Sequence, residues 1–514
     1  MGAWGDGYVT DILYTHGYYS QLNPAMARFL LLASGYAVNP NDGQQCHCEL
    51  GFGQGLSINI HAAASGDAWY GNDFNPAQLR HAQDLAAVSG ANIHLYDDSF
   101  AQFLTRRDLP QFDSISLHGI WSWISEENKQ IITEFIRQKL KPGGVVYVSY
   151  NTTPGWSGFL PIRNLLNQYS KLNCPSGTRI ERNIDASLNY VEKLLKTSNF
   201  YTKIHPTIGK KFEKIMKSPR EYLAHEYFNQ SWTPVFFSEL HAHFSQAKLN
   251  FACSATLNEH IDEINLSAEQ IEILSQVENP VLYEDTRDLI VNQQFRRDYW
   301  IKGARKLSPS EQHRELRNQK LILKVKHEKI DLVVTGVLGK LKLDHRQFDR
   351  LLSVMPANEP ISIGQIEDQL QQHSLSVQTI SKMVIALMAM LVIAPVQEDS
   401  KFRRAIESSR KLNNFILEHA ENVERSAYLT SPLLGGGVPL DRINLLFFIA
   451  LQRGAGNVEE LARFAMVNML ENRQTILHNG EPLRDADRLQ IVMHEKARSF
   501  IDDQIPMLRA LAVL

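Results

Sequence analysis

Residues 49–55 read Glu49-Leu50-Gly51-Phe52-Gly53-Gln54-Gly55, an acid and three alternating glycines at the end of the strand-like run Gln45–Leu50. Glycines permit a tight turn from strand to helix and let backbone N–H groups approach a ligand with no Cβ in the way. A dinucleotide fingerprint, GxGxxG, would need a glycine where Leu56 stands, so the spacing favours S-adenosylmethionine over a dinucleotide. A glycine turn with a purely structural role is the alternative, and the neighbouring strands bear on the choice.

Outward from this loop, short strand-like runs alternate with helix-compatible segments from Gln44 to Tyr150, the pattern of a doubly wound, Rossmann-like α/β fold on a parallel sheet. The runs are Gln45–Leu50, Ala68–Asp73, Asn92–Tyr96, Asp113–Leu117 and Gly144–Tyr150. Each carries candidate chemistry at its carboxyl end, where open α/β sheets bind ligands. Glu49 falls at the methionine end of such a cofactor. Asp73, followed by Phe74, stands where an acid meets ribose hydroxyls; its alternative is a helix cap. In Asp97-Asp98-Ser99-Phe100, Asp98 is placed to receive an adenine amino group and Phe100 to pack on the ring, although Asp98 or Ser99 can equally cap a helix.

The fourth and fifth runs lead into Leu117-His118-Gly119-Ile120-Trp121-Ser122-Trp123 and Tyr150-Asn151-Thr152-Thr153-Pro154-Gly155-Trp156. His118 reads as a general base, a cofactor contact or a hydrogen-bonded strand-end residue, and Trp123 as core. Before the first strand, Tyr14 to Pro24 (YTHGYYSQLNP) can lie over the ligand as a lid, or its tyrosines can be ordinary packing residues. Cys46-His47-Cys48 puts two cysteines on one strand face and His47 on the other. With no second ligand pair, no metal is expected.

A chain of 514 residues exceeds one hydrophobic core and suggests about three folding units. The expected division is a first domain over 1–265 with a helical insertion at about 159–244, and a further strand in Leu249–Thr256. A helical region over 266–330, a winged-helix-like unit over 331–400 and a helical domain over 401–514 follow, the last broken by a loop at Leu433–Pro439. The start lacks the basic and apolar regions of a secretory signal, which leads us to expect a cytoplasmic protein. The longest apolar stretch, Met383–Val396, is too short to span a bilayer and reads as a buried helix. Four scattered cysteines fit a reducing compartment. Net charge −3 gives no general pull toward nucleic acid, and Gln378–Met390 holds one lysine, so DNA reading by that unit is not expected.

Together YTHGYYSQLNP, ELGFGQG, YGNDFNP, DDSF, HGIWSWIS and LKPGGVVYVSYNTTPGW, with Tyr222–Phe228 and Val235–Phe237 further on, resemble the bacterial methyltransferases that carry a methyltransferase regulatory domain. The rickettsial protein lysine methyltransferases belong to that group. The resemblance covers most of the first 300 residues. It implies a class I fold, S-adenosylmethionine as cofactor and, for the rickettsial branch, lysines of outer membrane proteins as acceptors. A lysine amine has an unperturbed pKa of about 10.4 and must lose a proton before attack. A water-poor channel of Tyr14, Tyr18, Trp121, Tyr150 and Trp156, with Asn151 as a polar contact, would lower that pKa by desolvation. The long C-terminal part favours a protein substrate; its alternative role is to stabilise the fold or form a homodimer. A small-molecule N- or O-methyltransferase and a non-catalytic cofactor-binding module are the competing readings.

Overall fold

The computed structural model describes residues 17–40, 43–174, 179–197, 200–229, 231–373, 375–420, 427–474, 476–478, 481–482 and 485–514. The five runs become strands β1 (Cys46–Leu50), β2 (Ala68–Asn72), β3 (Ile93–Tyr96), β4 (Phe112–Leu117) and β5 (Leu140–Asn151). They lie parallel in the order β3-β2-β1-β4-β5. Parallel neighbours need long crossovers, here built around the helices Leu56–Ser65, Pro76–Ser89, Phe100–Thr105 and Glu126–Lys139. Their starts follow local chemistry. Asn75 caps the second through the Ala77 N–H at 3.0 Å, and Ser99 with Gln102 forms a reciprocal capping box for the third. The fourth has Glu126 and Glu127 in its first turn and Arg137 and Lys139 in its last, which complements its dipole.

Two further strands complete the sheet. β6 (Leu249–Ser254) matches the expected strand, whereas β7 (Phe295–Lys302) lies beyond the boundary drawn at residue 265. β7 runs antiparallel to β5 from Val145↔Ile301 to Asn151↔Phe295 and pairs with β6 on its other side, giving the order 3-2-1-4-5-7-6. The boundary at 265 is therefore corrected: a cut there would remove the strand that joins β5 to β6. The sequence Phe295-Arg296-Arg297-Asp298-Tyr299-Trp300-Ile301-Lys302 puts charges where an interior strand is expected to be apolar. They are accommodated because buried Arg296 pairs with Asp288 at 2.7 Å, Glu284 at 2.9 Å and Asp298 at 3.0 Å.

Between β5 and β6 the helical insertion encloses its own core of Trp156, Phe159, Leu166, Leu188, Phe212 and Leu223. The helix Phe237–Gln246 packs on the sheet instead, with Phe237 stacked on Trp300 at 5.4 Å. Further on, Lys320–Leu323 is the middle strand of a three-stranded antiparallel sheet, flanked by Pro360–Ser362 and Ile393–Pro395. The helix His345–Ser353 precedes its strand Pro360–Ser362, the helices Ile363–Gln369 and Val377–Ala389 lie between that strand and Ile393–Pro395, and its central strand precedes residue 331. The loop expected at Leu433–Pro439 is a correction: Ala427–Ser431 and Gly436–Leu440 form an antiparallel hairpin.

The long helix Asp399–Ala420 lies against the helices Leu56–Ser65 and Pro76–Ser89. Lys401 Nζ meets the buried Asp67 carboxylate at 2.5 Å, Ser408 and Ser409 donate to the Ala63 carbonyl, and Gln397 donates to Ala64 at 2.8 Å. Among the described residues no helix is long and apolar enough to cross a membrane.

Candidate active site

The carboxyl ends of the parallel strands meet at one cavity of about 650 Å³. All three glycines of the loop after β1 have left-handed backbone, with φ of 68°, 59° and 74° at Gly51, Gly53 and Gly55. A Cβ on Gly51 would come within 2.3 Å of Ile120, and one on Gly55 within 2.3 Å of the Ala82 Cβ. At Gly53 it would meet nothing within 4 Å, so this side of the loop is open to a ligand.

Two buried carboxyls flank the loop. Asp73 accepts the Gly53 N–H at 2.9 Å and the Asn75 N–H at 3.0 Å, and the Gln78 amide, oriented to satisfy both its atoms, donates to the same carboxylate. Burial raises its pKa from 3.8 to about 7 against the lowering effect of those N–H donors. Glu49 is pushed further, from 4.5 to about 8, by burial and then by Asp73. Glu49 Oε2, Asn72 Oδ1 and Asn151 Nδ2 are buried without a hydrogen-bond partner, and all three residues line the cavity. Unsatisfied buried polar atoms are costly. Two acceptors, one donor, the open glycine loop and half-buried Phe74 and Phe100 suit the hydroxyls, ammonium, carboxylate and adenine of S-adenosylmethionine.

His118, just past β4, stacks on Tyr19 with ring centroids 3.4 Å apart, and its Nδ1 lies 2.8 Å from the Tyr147 hydroxyl. Burial, helped by Arg297, holds its pKa down at about 3. Tyr147 keeps its proton, since burial raises its pKa, so the contact joins a neutral phenol to a neutral imidazole. Such a neutral imidazole can hydrogen-bond a ligand but is a poor general base at pH 7. Asn151, at the end of β5, accepts the Trp156 indole N–H at 2.9 Å through Oδ1, which fixes its amide so that Nδ2 is the unused donor. The cavity wall continues through Trp123 after β4, through Tyr222, His225 and Glu226 of the insertion, and through Gln294 and Phe295 at the start of β7.

Of the residues singled out in the sequence, the cavity brings together Glu49, Gly51, Gly53, Gly55, Asp73, Phe74, Ser99, Phe100, His118, Asn151 and Trp156. Four others are corrected. The Asp98 carboxylate pairs with Arg106 at 3.0 Å and is not on the cavity wall. Trp121 is fully buried, edge-on to Phe244, and Tyr150 is fully buried with its hydroxyl on Asp298 at 2.7 Å. Tyr18 is seated on the C-terminal hairpin through Gly437. Tyr14 lies outside the described residues. Trp123, read as core, is both buried and part of the wall. Sequence reasoning missed Asn72, Tyr222, His225, Glu226, Gln294 and Phe295. Tyr222 and Glu226 carried a usable signal, since i,i+4 spacing puts them on one helix face. Gln294 and Phe295 had none, because their place depends on β7. Among the described residues no cluster of metal ligands occurs.

The sheet order and glycine loop are those of the class I S-adenosylmethionine-dependent methyltransferase fold. The same architecture extends over PKMT2 from Rickettsia typhi, whose structure was solved in complex with AdoHcy: TM-score 0.67, 17% identity, covering 98% of this chain and 99% of that one. Residues 219–302 match the family described as predicted methyltransferase regulatory domain. The uncharacterized protein sll1526 of Synechocystis is 33% identical over 517 residues, covering 99% of this chain and all of that protein. The chain belongs to the same family as sll1526. The uncharacterized protein RP789 of Rickettsia prowazekii is 25% identical over 293 residues, covering 55% of this chain and 50% of that protein.

Proposed function

We propose that this chain transfers a methyl group from S-adenosylmethionine to an amine, and that the amine is a lysine side chain of a protein substrate met in the cytoplasm. The observation that carries this is the acidic lining of the cavity, whose buried carboxyls ionise more readily once a cation enters. Glu49, Asp73 and Glu226 line it, and among the described lining residues there is no lysine or arginine. A carboxylate-bearing cavity with aromatic walls favours cations, and both reactants of amine methylation are cationic before reaction.

The bound cofactor supplies an electrophilic methyl on a sulfonium. The chain's own groups do the rest. The open face of the glycine loop at Gly53 and the Glu49 and Asp73 carboxyls hold the polar ends. Trp123, Trp156, Tyr222 and Phe295 supply aromatic wall and restrict water, which lowers the pKa of an entering ammonium. Glu226, on the helix Arg220–Tyr227, electrostatically opposes ionisation of Tyr19 and Tyr222, though burial is the larger cause of their raised pKa values. A carboxylate there can hold the acceptor ammonium and receive its proton. The resemblance to rickettsial protein lysine methyltransferases and the full-length fold match to PKMT2 support a protein acceptor, with outer membrane proteins as the first class to test.

The test is incubation with tritiated S-adenosylmethionine and a lysate divided into protein and small-molecule fractions. Label on protein lysines supports the reading; label confined to small molecules overturns it. Glu226→Gln is expected to raise KM for the protein acceptor at least tenfold and to leave affinity for S-adenosylhomocysteine within twofold. An unchanged acceptor KM would remove Glu226 from this role.

A further inference from the structure

The triple glycine Gly435-Gly436-Gly437 has no part in the site described so far, yet it is built around a residue that neighbours the site in sequence. The Tyr18 hydroxyl accepts the Gly437 N–H at 2.7 Å. Its ring lies over Gly437 so closely that a Cβ there would be 3.0–3.1 Å from three ring atoms, and a Cβ on Gly436 would be 2.5 Å from the hydroxyl oxygen. His61 and Tyr428 flank the ring at centroid distances of 5.0 and 5.1 Å. Five residues on, Asn23 donates to the Leu434 carbonyl of the same hairpin at 2.9 Å while its Oδ1 caps the helix Pro24–Ala33.

The next residue faces the other way. Tyr19 has extended backbone, φ −120° and ψ 98°, and successive side chains of extended chain point to opposite sides. While Tyr18 sits in the glycine hairpin, Tyr19 stacks on His118 and lines the cavity together with Gly17. Its N–H donates to Ser57 at 3.3 Å and its carbonyl accepts from His61 Nε2 at 3.0 Å, both on the helix that follows the glycine loop. Tyr299 of β7 donates to the Gln21 carbonyl at 2.6 Å. The strap Gly17–Leu22 is thus held between the sheet, the cofactor-loop helix and a hairpin more than 400 residues away in sequence.

We infer that the glycine hairpin is a fixed seat for Tyr18, that Tyr18 is a positioning residue which sets Tyr19 and Gly17 against the bound adenosyl ligand, and that the C-terminal unit is therefore an integral part of the ligand site. The inference rests on the cavity binding S-adenosyl compounds. It gives the small size of Gly436 and Gly437 a role at a cavity neither residue touches.

A double-mutant cycle on the full chain tests it, with calorimetric titration of S-adenosylhomocysteine as readout. Gly436→Ala is expected to weaken binding at least fivefold, because its Cβ displaces the Tyr18 hydroxyl. In a Tyr18→Ala background the same substitution is expected to cost at least threefold less, since only the Asn23 amide, 2.7 Å from that Cβ, then remains to be displaced. Additive losses, or Gly436→Ala affinity within twofold of the parent, overturn the inference while leaving the cofactor reading intact. If Gly436→Ala does not fold, Tyr18→Phe replaces it: at least a threefold loss supports the inference and unchanged affinity overturns it. A parent chain that does not bind S-adenosylhomocysteine overturns the cofactor reading itself, and this inference with it.

Discussion

Asp73 has two partners to satisfy, and that makes it the most informative single residue. Its carboxylate ties the end of β2 to the glycine loop through the Gly53 N–H and is also placed for a ligand hydroxyl. Asp73→Ala removes the ligand acceptor and frees the loop together, so affinity for S-adenosylhomocysteine is expected to fall at least thirtyfold by calorimetry. Glu49 gives a prediction in pH. Its folded pKa of about 8 exceeds the ordinary 4.5, so between those values the folded chain holds a proton that the unfolded chain has lost. Stability from this source is full at the acid side of that window and is lost as pH rises through about 8. Glu49→Gln is therefore expected to be more stable than the parent at pH 8 by on the order of 2 kcal/mol, the gap closing toward pH 4.5, as measured by chemical denaturation. A bound cation reverses the preference by favouring the carboxylate, so cofactor affinity should rise from pH 6 to 8 in the parent and rise less steeply in the variant, where only Asp73, at about 7, still titrates. The positions of both acids were legible in the sequence because each stands at the carboxyl end of a strand-like run, Glu49 within β1 and Asp73 just after β2. Asp98 was misread because its carboxylate is taken by Arg106, eight residues on, and nothing in DDSF announces that pairing.

Among elements, the glycine loop controls how closely two helices approach. Gly55 combines a φ of 74° with a Cβ position 2.3 Å from Ala82, on the facing helix Pro76–Ser89. Gly55→Ala is expected to cost about 2–3 kcal/mol from backbone strain and overpacking together, seen as a lower urea midpoint with the m-value unchanged. The first five strands could be read from apolar runs with turn residues at their ends. β7 could not, since its Arg296 and Asp298 are tolerable in a core only as members of an ion cluster with Asp288 and Glu284. Two of those partners come from the helix Pro280–Ile290. A local pattern does not reveal charge neutralised by another element.

At the scale of the whole molecule, the C-terminal unit is joined to the catalytic-type sheet by buried polar contacts. Asp67 and Lys401 are nearly inaccessible and meet at 2.5 Å, with His47 on the same carboxylate at 3.3 Å. Burial alone would raise the Asp67 pKa, but His47 and Lys401 outweigh it and the net shift is downward. Stability from this pair is present above the usual carboxylate range and is lost as pH falls through the lowered folded value. Lys401→Ala leaves the carboxylate short of its closest partner and is expected to destabilise the chain by about 3 kcal/mol at pH 7, with a smaller difference in acid, measured by denaturant titration across pH.

The sequence by itself determined the α/β class, the strand carrying the glycine loop, the acids Glu49 and Asp73, and a helical insertion between β5 and β6. Each of these is encoded in local periodicity, in turn chemistry or in spacing along one element. Tertiary structure alone decided that β7 completes the sheet, that Tyr150 and Trp121 are core, that Glu226 and Phe295 reach the cavity, and that Gly436 and Gly437 seat Tyr18. Those outcomes depend on contacts between residues far apart in the chain, where the energy of a side chain is set by what packs against it and no interval in the sequence records the neighbour.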